Sequence, residues 1–223
     1  DLALRKFITG VNDTEYKNRY PEVTYEDGKI KYTHTKEPVR VENNDIVIYT
    51  IRVYNEGRVA GYAKEVMDDI PEGLEFLPDN PINKEYGWVM YDKVEEEGMY
   101  LDYKYGTDRY VKTEDAKEAD IIVTDYLSKD QEKATGRNNL IKAFDEEKGI
   151  SSVEPYNPDY RDVKVAFRVT EPNTSDRIII NTAEISDDEN EDGKPVEDVD
   201  STPGNNEDGE DDIDKEYIYV KYF

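Results

Sequence analysis

The sequence predicts an all-β fold, a β-sandwich interrupted in the middle of the chain by a mixed, partly helical insertion. Three observations predict it. Short runs alternating apolar and polar residues recur along the chain, and turn-forming residues break them. No helical pattern alternates regularly with those runs, which argues against a doubly wound α/β fold. Hydrophobic residues are only 36% of the 223, yet they gather in the alternating runs, as a sheet with one wet face requires.

The expected strands, in order, are Leu2–Ile8, Ile30–Tyr32, Val39–Val41, Asp45–Tyr54, Val59–Met67, Val163–Val169, Arg177–Ile185 and Glu216–Phe223. Breaks such as Asn55, Glu56, Gly57 and Pro71, Glu72, Gly73 separate them. The stretch 78–150 reads differently, with charged, tyrosine-rich segments and two expected helices. One is Thr113–Ala119. The other runs from Asn138 as a cap to Gly149 as a stop, with Leu140, Ile141 and Phe144 on one face. This insertion is read as an elaboration of one module spanning 1–223. Residues 186–215 form an acidic loop before the last strand, too polar to order alone. No internal repeat is visible.

Charge narrows the function. With 54 acidic against 29 basic residues the net charge is −25, so nucleic acid and anionic membrane surfaces are expected to be repelled. The absence of cysteine removes disulfides, thiol nucleophiles and thiolate metal sites. A single histidine, His34, expected on a surface strand, removes sites built from several histidines. No nucleophile motif or phosphate loop appears, and scattered carboxylates say little about glycoside hydrolysis. The expectation is therefore a protein with no external substrate. No signal peptide or membrane-spanning run is seen, and an opening inside an apolar run suggests an excised segment. The 19 tyrosines are read as strand formers more than as a ligand surface.

Phase along three strands isolates a trio. Lys6 alternates with Leu2, Leu4 and Ile8; Asp45 with Val47, Tyr49, Ile51 and Val53; Asn181 with Ile179, Ala183 and Ile185. Each is a polar group on an expected core face, where it is costly unless paired. One chemistry uses all three, an intramolecular Lys–Asn isopeptide bond formed with loss of ammonia. Burial would favour a neutral, nucleophilic Lys6 amine and a protonated Asp45 able to polarise the Asn181 carbonyl. The plain alternative is a lysine reaching the sheet rim, an aspartate at a strand entry and an asparagine in a turn.

The runs Asp45–Gly57, Asp68–Phe76 and Ile180–Ile185 resemble repeated surface domains of Gram-positive bacteria, the DUF11-like, isopeptide-forming fimbrial or collagen-adhesin-type modules. The opening Asp1–Lys6 and the segment Asp198–Asn205 are similar to clostridial-type versions. The resemblance covers the strands at both ends and says little about 78–150. It implies an Ig-like sandwich in a tandem array on the cell wall, with neighbouring repeats as partners. It also implies a bond from the first-strand lysine, Lys6, to the asparagine of the Asn-Thr-Ala motif, Asn181, assisted by an acid, here Asp45. A slip of phase would put Glu184 or Asp68 in the acid's place. The expected role is a structural stalk or adhesin module, the alternative a domain that binds a host protein or glycan through 78–150.

No cofactor is required by this reading, but calcium is a candidate. Asp188, Asn190, Asp192 and Gly193 copy the first half of an EF-hand loop, and Val199 stands where its closing glutamate belongs. A looser oxygen-rich site would draw on some of Asp198, Asp200, Asn205, Asp208, Glu210, Asp211 and Asp212.

Overall fold

The computed structural model describes residues 1–93, 103–105, 108–144, 157–196 and 210–222. Its elements are β1 (Leu2–Val11), β2 (Thr14–Glu15), β3 (Glu22–Glu26), β4 (Lys29–Thr33), β5 (Val39–Val41), β6 (Ile46–Asn55), β7 (Gly61–Asp69), β8 (Leu74–Phe76) and α1 (Pro81–Glu85). They continue with β9 (Val89–Lys93), β10 (Tyr103–Tyr105), β11 (Asp108–Lys112), β12 (Ile121–Thr124), α2 (Lys129–Thr135), β13 (Tyr160–Val169), β14 (Ile178–Asn190) and β15 (Ile213–Val220). One sheet has the order β2-β1-β6-β13-β8 and the other β10-β11-β9-β12-β7-β14-β15-β5, with β3 and β4 forming a separate hairpin. The fold is all-β and sandwich-like.

Alternation builds the first sheet. Val47, Tyr49, Ile51 and Val53 on β6, and Val163, Val165, Phe167 and Val169 on β13, are fully buried. Register stacks them in rows, so Lys6, Ile51 and Val163 lie side by side, as do Ile8, Tyr49 and Val165. Each such aliphatic side chain stabilises by about 1.5–3 kcal/mol when removed from water. The opposite face of β1 and β6 is covered by the hairpin region. Tyr32 packs on Tyr54 at 4.6 Å, and Phe7 on Tyr20 at 5.1 Å. The hairpin turns through Asp27 and Gly28, both at positive φ (52° and 77°), the two-residue geometry that matches strand twist.

The 78–150 stretch adds strands to the second sheet. β12 pairs with β7 on one edge and β9 on the other, and β9 continues into β11 and β10. Met67, Tyr91, Tyr110, Ile121 and Val123 close a small second core there. Its helices are not the expected ones. They are α1, capped by Asn80, and α2, capped by Ser128 and stopped at Gly136 with φ 76°. Residues 113–119 form turns. Residues 138–144 are irregular, because their backbone groups are committed elsewhere: Ile141 pairs with Gly61, and Arg161 takes the carbonyls of Asn138 and Leu140. Residues 145–149 lie outside the described ones.

The expected acidic loop is shorter at both ends, since β14 runs on to Asn190 and β15 begins at Ile213. The two sheets meet along β1 and β15. There Leu4 N donates to Asp211 O, Lys6 N to Asp214 Oδ2 and Ile8 N to Glu216 Oε2, each at 2.8 Å. Two carboxylates and one backbone carbonyl thus take the place of a strand ladder. No helix among the described residues is long and apolar enough to cross a membrane.

Candidate functional site

Lys6, on β1 of the first sheet, points between the sheets and is fully buried. Facing it are Asp68, near the end of β7, and Asn181 on β14, both fully buried as well. β7 and β14 are neighbours in the second sheet with Ala183 opposite Asp68, which sets the Asn181 side chain beside the aspartate. Both Asp68 oxygens lie 2.7 Å from Lys6 Nζ. Lys6 Nζ also donates to Asn181 Oδ1. Asn181 Nδ2 in turn donates to Asp68 Oδ1 at 2.7 Å. The three groups close a ring of mutual contacts.

Two further side chains shape it. Asp69 accepts from Asn181 Nδ2 at 2.6 Å and from Thr182 N at 2.8 Å, and its backbone carbonyl takes the same Nδ2 at 3.1 Å. Tyr49 places its ring centroid 4.6 Å from Lys6 Nζ. Burial is the main electrostatic influence. It pushes the Lys6 amine down against the pull of Asp68 and Asp69, and it pushes the Asp68 carboxyl up to about 7 although Lys6 opposes the shift. Asp69 also moves up through burial. All three shifts favour neutral forms, the state in which an amine is nucleophilic and a carboxyl can donate a proton.

Two of the three residues expected from phase are brought together, and the third is not. Asp45 was expected as the acid. It stands at the entry to β6, where its oxygens accept from Asn12 Nδ2 and Glu42 N, both at 2.9 Å. Asn44 just before it takes a positive φ of 72°, so Asp45 closes a turn instead of facing Lys6. Asp68, the alternative that a slip of phase allowed, faces Lys6 instead. Glu184 is also fully buried.

His34 corrects a second expectation. Its side chain is 5% exposed. The ring stands edge-on to Phe7 at 6.1 Å, Nδ1 lies 3.2 Å from the Arg19 carbonyl, and burial with nearby Lys36 lowers its pKa to about 4. A buried ion pair, Arg19 to Glu216, escaped the sequence reading. Arg19 meets the two Glu216 oxygens at 2.6 and 3.0 Å. The signal was present, because Glu216 is in phase with the buried Ile218 and Val220.

Of the candidate calcium ligands, Asp198, Asp200, Asn205 and Asp208 lie outside the described residues. Among the described ones, Asp211 comes together with Asp1 and Glu56, one oxygen of each lying within 4.8 Å of the others.

No family model matches the chain, and no curated protein matches it. Among solved structures, the full-length RrgB pilus protein of Streptococcus pneumoniae is similar over 82% of this chain and 22% of its own, at 14% identity and a TM-score of 0.35. A second RrgB pilus-backbone structure is similar over 82% and 30%, at 16% identity and 0.35. The Actinomyces fimbrial adhesin FimA is similar over 98% and 55%, at 12% identity and 0.32. The chain thus spans between about a fifth and just over half of the length of these three.

Proposed function

We propose that this chain is a structural stalk module of a bacterial cell-surface protein, closed by an autocatalytic isopeptide bond between Lys6 and Asn181. The observation that carries the reading is the mutual contact of Lys6, Asp68 and Asn181 in a fully buried position between two sheets. In the step, Asp68 takes a proton from the Lys6 ammonium and the freed amine attacks Asn181 Cγ. The Cγ–Nδ2 bond then breaks with its electron pair on nitrogen; Asp68 returns the first proton to the departing group, which also takes the second proton that the attacking nitrogen gives up. One ammonium ion leaves for each bond formed, so charge and atoms balance. Apolar walls keep water from competing, and the fold supplies the orientation.

The product would tie β1 of one sheet to β14 of the other across 175 residues of sequence. A cysteine-free chain in a surface fibre gains from such a link what a disulfide would otherwise provide. An extracellular address and like modules as neighbours belong to the same reading. High-resolution intact mass tests it. The purified domain should be lighter than its sequence by one ammonia, and the Asn181→Ala chain should have its full mass. A wild-type chain of full mass removes the crosslink and leaves Lys6 and Asp68 as a buried ion pair.

A further inference from the structure

Asn181 presents a symmetry problem to any reaction at its side chain. The oxygen and nitrogen of a primary amide are close to the same size, so packing alone does not decide which one meets the lysine. The nucleophile needs the carbonyl oxygen turned toward its own hydrogen-bonding side and the nitrogen free to depart. Electrostatics must therefore choose the rotamer, and three acceptors gather on one side of the amide. Asp68 Oδ1 lies 2.7 Å from Nδ2, Asp69 Oδ1 lies 2.6 Å from it and the Asp69 carbonyl 3.1 Å. Opposite them stands Lys6 Nζ, a donor, on Asn181 Oδ1.

Asp68 is already engaged, since both its oxygens also receive Lys6, and it must change protonation during the step. Asp69 has no contact with Lys6 Nζ within hydrogen-bond distance among these bonds. Its carboxylate instead spans Asn181 Nδ2 and the backbone N–H of Thr182, the residue next along β14. That second bond anchors the acceptor to the strand that carries the amide. Turning the amide over would place Oδ1 against two carboxylates and a carbonyl, and the NH2 group against the lysine, so every contact would become repulsive.

We infer that Asp69 is a positioning residue for the proposed crosslink, holding the Asn181 amide with its nitrogen at the exit side and its carbonyl toward Lys6. Asp69 forms no bond to carbon and carries no proton between reactants. It acts through Asn181 alone, and it rests on the reading that Lys6 and Asn181 join. Two adjacent acids then divide the work: Asp68 moves the proton, and Asp69 fixes the leaving group.

The test follows bond formation by intact mass in chains made by cell-free synthesis and sampled from the time of folding. Asp69→Ala removes the side-chain acceptor and should slow ammonia loss on the order of ten-fold, the scale expected for misplacing a reacting group by part of an ångström. Asp69→Asn can still offer its amide oxygen to Nδ2 and to Thr182 N, and it should restore most of the rate. That rescue separates positioning from a generic weakening of the strand, which is checked by the melting of Asp69→Ala against wild type, both in a Lys6→Ala background where no bond can form. Asp69→Ala closing at the wild-type rate overturns the inference and leaves the crosslink standing. So does an equal loss in the Ala and Asn variants. A wild-type chain that never loses ammonia overturns the proposed function and this inference together.

Discussion

Asp68 grips Lys6 with both carboxylate oxygens, each 2.7 Å from Nζ, and gives one of those oxygens to the amide that the lysine would attack. Taken out of water, such a pair recovers its desolvation cost only when every polar atom is satisfied. Here the third lysine hydrogen goes to Asn181 Oδ1, so the same bonds that satisfy the ammonium also align an electrophile. The contacts that lower the cost of burying the charge are those that the proposed reaction would use.

Asp68→Asn separates these roles. Asparagine is nearly isosteric and keeps an acceptor for Lys6, but it cannot take the proton. The expected result is a folded chain of full mass. Its melting temperature should fall below that of wild type, because the crosslink is absent and the lysine has lost its counter-charge. An Asp68→Asn chain that still loses ammonia would move the proton-carrying role to Asp69.

The rate of bond formation should rise with pH through about 7. The reactive pair holds one proton between Lys6 and Asp68. Below the raised Asp68 value, about 7, the carboxyl keeps its proton while Lys6 keeps its own, and no base remains to free the amine. Above it the pair carries the single proton that the step uses. The unlinked chain shows the matching linkage. Folded Asp68 binds a proton more tightly than its ordinary value of 3.8 allows, so the folded state holds more protons between those two values. Its contribution to stability is present below about 3.8 and is lost as pH rises through about 7. Time courses of intact mass on either side of that value check the first statement, and a rate independent of pH sinks it.

Asp45→Ala should leave the crosslink intact. Its carboxylate caps the turn into β6 through Asn12 and Glu42, and losing such a cap costs about 1 kcal/mol. The expected result is a small drop in melting temperature with ammonia loss complete. A full-mass Asp45→Ala chain would return this residue to the site.

The contrast between Asp45 and Asp68 shows what alternation can and cannot reveal. Lys6 and Asn181 were legible because each is the one polar residue among aliphatic neighbours in phase. Asp45 shares that phase, but a strand's periodicity holds only inside its ladder, and the positive φ at Asn44 turns the chain at its entrance. Asp68 stood only as an alternative acid, because its strand offers less contrast. Val66, Met67 and Asp68 are all buried; β12 and β9 extend the sheet beside β7, and Met67 joins Tyr91, Tyr110, Ile121 and Val123 in a second cluster there. A strand buried on both faces has no wet side against which a polar residue stands out. Those added sheet strands were unforeseen, since they are only three to five residues long, and the backbone of Ile141 and Phe144, in the expected helix, is spent on pairing with Gly61 and Gly57.

The stability difference between Lys6→Ala and Asn181→Ala should separate the link from the charge. Both variants lose the bond, whose loop of 175 residues is worth about 5 kcal/mol in the chain-entropy account. For a domain of this size that corresponds to a fall of roughly 10–20 °C in melting temperature. Asn181→Ala keeps the Lys6–Asp68 pair, so its loss should stay near that figure, with a smaller addition for the missing amide contacts. Lys6→Ala leaves Asp68 and Asp69 together without a counter-charge in the core, and removing one partner of a buried pair costs about 3–5 kcal/mol more. Part of this returns at low pH, where Asp68 is protonated and the unpaired charge disappears. Calorimetry should therefore rank wild type above Asn181→Ala and that above Lys6→Ala, with the last gap narrowing as pH falls. A Lys6→Ala chain that melts with wild type leaves no room for a bond at this position.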